Sequence, residues 1–210
     1  MGLLTEQPPH TVGIGGREVP IDWGFRTSLR FAALMEQPSK TDAEIIAQGL
    51  AMYFPDCPHL VRSFPAEMAD ALLRFFRCGQ EEARKRSGKR KTSGGIVSFE
   101  HDAPLIFAAF RGQYGIDLTQ EEEMHWWIFR ALFDGLREDE LVVRAMGYRA
   151  MTDDDMAKMG NEQRAYYRRM RKEWALPKLR NPEDRELEER IATALMGGGD
   201  IDAALRGADG

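Results

Sequence analysis

The chain has only two cysteines, Cys57 and Cys78, among 210 residues. That is too few for a disulfide framework, and a reducing cytosol is the expected setting. No apolar run approaches the roughly 18 residues that a membrane span needs. The opening stretch MGLLTEQPPH lacks the basic start and apolar run of a secretory signal. Positive charge is not in excess either. Lys and Arg number 29 against 34 Asp and Glu, for a net charge of −5, which argues against a polycation built to coat nucleic acid. Catalytic signatures are missing as well. There is no G-x-S-x-G elbow and no P-loop, and GIGG at 13–16 does not continue into a dinucleotide fingerprint. Glu122 and His125 form an E-x-x-H pair, but a carboxylate-bridged di-iron bundle needs two such pairs and the sequence has no second one. The expectation is a non-enzymatic protein with no cofactor, no metal and no membrane association.

What is present has the balance of an ordinary globular chain, 43% hydrophobic and 30% charged. Residues 11–22 read as a small hairpin turning at Gly15 and Gly16. Helical signals dominate from there on. Helices are expected over 27–36, behind a Thr41–Glu44 capping box, and behind Ser63 with Pro65 in the first turn. Residues 84–95, RKRSGKRKTSGG, are basic and nearly free of apolar side chains, the composition of a linker. Further helices are expected from Asp102 as cap to Tyr114, from a second capping box at Thr119–Glu122 through 136, over 138–147, over 161–176 and over 181–196. The predicted fold is mainly α, a helical bundle with a small N-terminal β-hairpin. Its parts are a hairpin and helical subdomain at 1–83, the linker at 84–95, a core helical subdomain at 96–180, and a C-terminal helix and tail at 181–210.

The stretch EMHWWIFRALFDGL, residues 123–136, is the most apolar in the chain. On a helix, Met124, Trp127, Ile128, Ala131, Leu132 and Gly135 form one complete core stripe, and Trp126, Phe129 and Phe133 form a second beside it. Two readings stay open at this point. Either the helix is central and packed on both sides, or the second stripe is a surface for a partner. Residues 161–176 raise the same question, with Tyr166, Tyr167, Met170 and Trp174 on one face amid several arginines. The bland reading is a peripheral docked helix, and the sharper one a surface for an acidic partner. The candidate partner-binding residues are therefore Trp126, Phe129, Phe133, Tyr166, Tyr167, Met170 and Trp174.

Several of these stretches together resemble a family of siphophage tail assembly chaperones encoded between the major tail protein and the tape-measure protein. The resemblance is carried by Asp102, Ile106–Phe110, Tyr114–Leu118, Met124–Leu132, the GYR of residues 147–149 and RRMRKEWALP at 168–177. Met124 stands where the family pattern has leucine, and Ile128 where it has lysine. Residues 97–180 are covered well and 20–78 loosely. The resemblance implies a helical, often oligomeric protein of the host cell cytoplasm, absent from the mature virion. Its partners would be the tape-measure protein, which it keeps soluble during tail tube assembly, and as a second candidate the tail tube protein. Two other readings remain beside it. One is a structural phage tail or connector component. The other is a small nucleic-acid-associated protein using the basic run at 84–91, a contact that the missing aromatics there argue against.

Overall fold

The computed structural model describes residues 3–80 and 95–177. The expected linker, except Gly95, and the expected helix at 181–196 lie outside these residues. The described chain is mainly α, with one two-stranded antiparallel hairpin. The hairpin pairs β1 (Thr11–Ile14) with β2 (Arg17–Pro20), Val12 facing Val19. Its turn needs positive φ at both central residues, and Gly15 and Gly16 supply 56° and 76°. The Gly15 N–H donates to the Glu67 carboxylate, and Ile14 and Val19 turn inward into the core.

Nine helices follow among the described residues: α1 (Phe25–Met35), α2 (Asp42–Tyr53), α3 (Pro58–Ser63), α4 (Pro65–Phe76), α5 (Ala103–Tyr114), α6 (Trp126–Asp134), α7 (Leu141–Ala150), α8 (Asp153–Ala157) and α9 (Asn161–Glu173). The Thr41–Glu44 capping box is formed as expected, with the hydroxyl and the carboxylate each taking up an amide that the first turn of α2 leaves unpaired. Gly115 ends α5 in the left-handed region. Helix α3 was not anticipated. Ser63 is its last residue, so α4 starts from Phe64 with Pro65 in its first turn and without a serine cap. Helices α1 and α2 approach so closely at Gly49 that a Cβ there would stand 2.4 Å from Cε2 of Phe31.

One hydrophobic core holds the hairpin and most of the helices. It contains Phe25, Phe31, Tyr53, Leu72 and Phe75 from before residue 81 and Phe110, Trp126, Phe129 and Val142 from after residue 94. The regions on either side of the expected linker thus share a single core. Polar groups inside it are satisfied. The Tyr53 hydroxyl donates to Ser28 at 2.7 Å, and among the described residues no buried side-chain N or O lacks a partner.

Candidate partner-binding surfaces

The helix containing the paired tryptophans starts later than its capping-box signature suggests. Thr119 does not cap it: its hydroxyl and its amide both donate to the Asp117 carboxylate, which holds residues 117–120 as a turn. The cap is His125. Its Nδ1 accepts from the Trp127 N–H at 3.0 Å while Nε2 faces the Pro9 carbonyl at 3.1 Å. With Nδ1 accepting, Nε2 carries the proton and donates, so the ring is neutral. Burial holds its pKa below the ordinary histidine value, and the nearby His10 adds a smaller push in the same direction. Both ring nitrogens are thereby engaged, and Glu122 lies in the turn before the helix, so the E-x-x-H pair does not share one helical face. Among the described residues no group of three His, Cys, Asp or Glu side chains is placed to hold a metal ion.

Each tryptophan of the pair has its own task. The Trp126 indole N–H donates to the Phe76 carbonyl at 2.7 Å, and that of Trp127 to the Phe75 carbonyl at 2.9 Å. These are carbonyls of the last turn of α4, where a helix runs out of its own donors. The two rings close the end of α4 while burying their faces. Cys78, just past that end, is half-buried, and burial pushes its thiol up to about 11, far from the range of a reactive thiolate.

The second stripe of α6 faces the interior. Trp126 is 1% exposed, Phe133 5% and Phe129 fully buried. Phe129 stacks on Phe110 at 5.0 Å and on Phe25 at 5.3 Å, while Phe99 meets both Phe129 and Phe133 edge-on. The partner-surface reading of Trp126, Phe129 and Phe133 is therefore corrected, because α1, α5 and the 96–99 loop already occupy that face. The other stripe is less buried than expected. Met124 and Trp127 are interior, but Ile128 is 42% exposed and Ala131 is exposed. Ile128 stands where the resembled pattern has lysine, and its exposure suits either residue. Arg130 and Asp134, four apart on α6, form an ion pair at 3.0 Å.

Asp102 stands at the N-cap position of α5 as expected, but its side chain makes no capping hydrogen bond. Its carboxylate accepts from the Ser98 N–H and from Arg149, at 2.6 Å and 2.8 Å through two guanidinium nitrogens. Arg149 donates further to the carbonyls of Ile96 and Trp174. Both side chains are buried, 1% and 6% exposed, so this bidentate pair ties α5, α7, the 96–98 loop and the end of α9 together. Burial raises the pKa of the neighbouring Glu36, against the opposing effect of the hydrogen bond from Ser98.

Tyr166, Tyr167, Met170 and Trp174 have a different setting. No residue of α9 is buried; Tyr166 is 39% exposed and the other three are partly covered. Tyr148 of α7 joins them, with rings 5.4 to 6.4 Å apart and the Tyr148 and Tyr166 hydroxyls 3.2 Å apart. Hydrogen bonds from Tyr166 and then Arg144 hold the Tyr148 hydroxyl below the usual tyrosine range, while the same contact raises that of Tyr166. Arg169 lies over the Tyr166 ring, and Arg144, Arg168 and Lys172 are exposed nearby in the chain. The result is a surface of tyrosines and cations on α7 and α9. Sequence reasoning missed Tyr148 and Arg144, whose only signal was their i, i+4 spacing on a short helix.

The class this fold defines is a helical protein held by internal aromatic and ionic contacts, with its open aromatic surface on α7 and α9. The profile of the bacteriophage Gp15 protein family matches residues 4–176, and the chain belongs to that family. No curated protein and no solved structure matches it.

Proposed function

We propose that this phage protein is a tail assembly chaperone that binds the tape-measure protein and keeps it soluble while the tail tube forms. The observation that carries the reading is the Tyr148, Tyr166, Tyr167 and Met170 surface, left partly open beside Arg144, Arg168, Arg169 and Lys172. Family membership supports the phage setting. Such a surface suits a long amphipathic helical client. Burying one aromatic contributes roughly 1.5–3 kcal/mol, and the cations select acidic neighbours of the client's apolar stripe. Four such contacts at the upper end, about 12 kcal/mol, less an ordering cost of at least about 4 kcal/mol, leave an affinity of micromolar at best, about −8 kcal/mol. That is weak enough for tube subunits to displace the chaperone. The protein would act in the host cytoplasm, associate with itself, and be absent from the finished virion.

The test is co-expression with the tape-measure protein. The wild-type chain should hold it in the soluble fraction, and Tyr166→Ser with Tyr167→Ser should lose this while circular dichroism stays unchanged. A client that stays insoluble with the wild-type chain, or stays soluble with the folded double variant, refutes the mechanism. Mass spectrometry of purified virions separates the structural-component reading, which requires the protein to be present there.

A further inference from the structure

Helix α9 is fastened to its neighbours mainly by polar contacts. None of its 13 residues is buried, so little apolar burial holds it in place. Near its start, Arg164 donates to the carbonyls of Met156, Ala157 and Met159, at and just past the end of α8. Further on, Arg171 donates to the Met151 carbonyl and the Asp153 carboxylate. At its end, Arg149 donates to the Trp174 carbonyl at 2.6 Å. The Tyr148 ring meets those of Tyr166 and Tyr167 between these points. The two helices it lies against are anchored differently. Helix α7 buries Val142 and Ala145, and α8 buries Met156. Scant burial and polar fastening mark an element that opens before the core does.

We propose that α9 is an arm that leaves α7 and α8 as one unit, turning about Gly160, while the core stays folded. Gly160 is the joint because buried Met156 keeps α8 in place and no side-chain cap fixes the start of α9. Opening breaks the bond from Arg149 to the Trp174 carbonyl but leaves the buried Asp102–Arg149 pair closed. It also takes the tyrosine–cation surface apart. Tyr148 and Arg144 stay on α7, while Tyr166, Tyr167 and Met170 depart with the arm. A helix of this length is marginal in water by itself, so the open arm exposes its amides. A bound client then has a way off that needs no unfolding of the core, because the surface holding it divides. That last step rests on the chaperone reading; the opening itself does not.

Amide hydrogen exchange of the full chain, resolved by residue, tests the opening without any client. The amides of residues 166–173 should share one protection factor, at least about tenfold below those of α4 and α6. Arg164→Met with Arg171→Met should lower it by a further factor of about ten or more, since charge-assisted bonds are lost, and leave α4 and α6 unchanged. Asp153→Asn loosens one of the same fastenings while keeping every cation of the surface, and should act in the same direction more weakly. Protection in the middle of α9 equal to that of α4 overturns the arm. So does protection that falls steadily from the middle of α9 to its ends, which is fraying, or a double variant that loosens α4 and α6 as much as α9. The client step is read as the rate at which the chain releases the tape-measure protein. Both variants should release it several-fold faster, and unchanged release beside faster exchange overturns that step. A tape-measure protein that the wild-type chain never holds refutes the chaperone reading and the release step with it, and the exchange result for the arm stands apart.

Discussion

Trp126, Phe129 and Phe133 of α6 and Tyr166, Tyr167 and Met170 of α9 each cluster on one side of a helix, yet Phe129 is fully buried whereas α9 buries nothing. The difference lies in what surrounds the rings. In WWIFRALFD only Arg130 and Asp134 are charged, so most of the circumference can enter a core. In NEQRAYYRRMRKE the cations fill most of the remaining face, and the rings carry hydroxyls that need polar company. Aromatic spacing alone therefore does not tell an interior from a docking surface. Flanking charge and the partners of the ring's polar atoms do.

The contrast is broken most severely at Trp126. Trp126→Ala should cost about 3–5 kcal/mol as a large core truncation, read as a lower urea midpoint; a loss below about 1 kcal/mol would return this stripe to the surface. Arg149→Ala should cost a similar amount, about 3–5 kcal/mol, because it strands the Asp102 carboxylate in the interior. Arg149→Met with Asp102→Leu should recover much of the loss if stranding is the cause. Gly49→Ala comes next, at about 1–3 kcal/mol. Phe31, which the new methyl would strike, is fully buried and held edge-on by Tyr53 and Phe76. The better helix propensity of alanine offsets about 1 kcal/mol at most, so a stabilised variant would contradict the packing described.

A pH titration sharpens the comparison at the start of α6. The His125 pKa is lowered in the folded chain, so the unfolded chain binds more protons between that value and 6.5. Its contribution is complete above about 6.5 and is lost as pH falls through that window, because protonating Nδ1 removes the cap on Trp127. Glu36, whose pKa is raised, works in the opposite direction at lower pH. His125→Asn keeps a cap that does not titrate, and the slope of stability between pH 7.5 and 5 should flatten in it. An unchanged slope would assign the dependence to other groups. The smallest effect belongs to α9: Tyr166→Ser should shift stability by no more than about 0.5 kcal/mol, and a loss comparable to that of Trp126→Ala would erase the distinction between the two helices.

The helical class, the hairpin, the Thr41–Glu44 box and the Gly115 terminator were all legible, because each depends on local chemistry: apolar periodicity, turn glycines, and caps three residues long. The misreadings share one cause. Asp102, Thr119 and Ser63 are good caps by residue type, but tertiary or turn partners claim two of them and a short helix takes in the third. Likewise, the choice between the two stripes of α6 was made by α1, α5 and the 96–99 loop, elements remote in sequence. The resembled motif residues prove to be architectural: Asp102 pairs with Arg149, the Tyr114 hydroxyl donates to the Leu132 carbonyl, and the two tryptophans close α4.

That closure has a consequence for synthesis. The indole donors to the Phe75 and Phe76 carbonyls lie 52 and 50 residues further along the chain; until they arrive Phe75 has only the local Cys78 N–H and Phe76 only the weak Cys78 thiol. At roughly 5–20 residues per second, the gap is a matter of about 3–10 s, during which α4 has left the ribosome with its end unsealed and Phe75 without its cover. A nascent chain halted before Trp126 emerges is expected to be cut readily within α4, and one halted well past Asp134 to resist. The product of the first half of the message is thus a client in its own right until the tryptophan pair arrives.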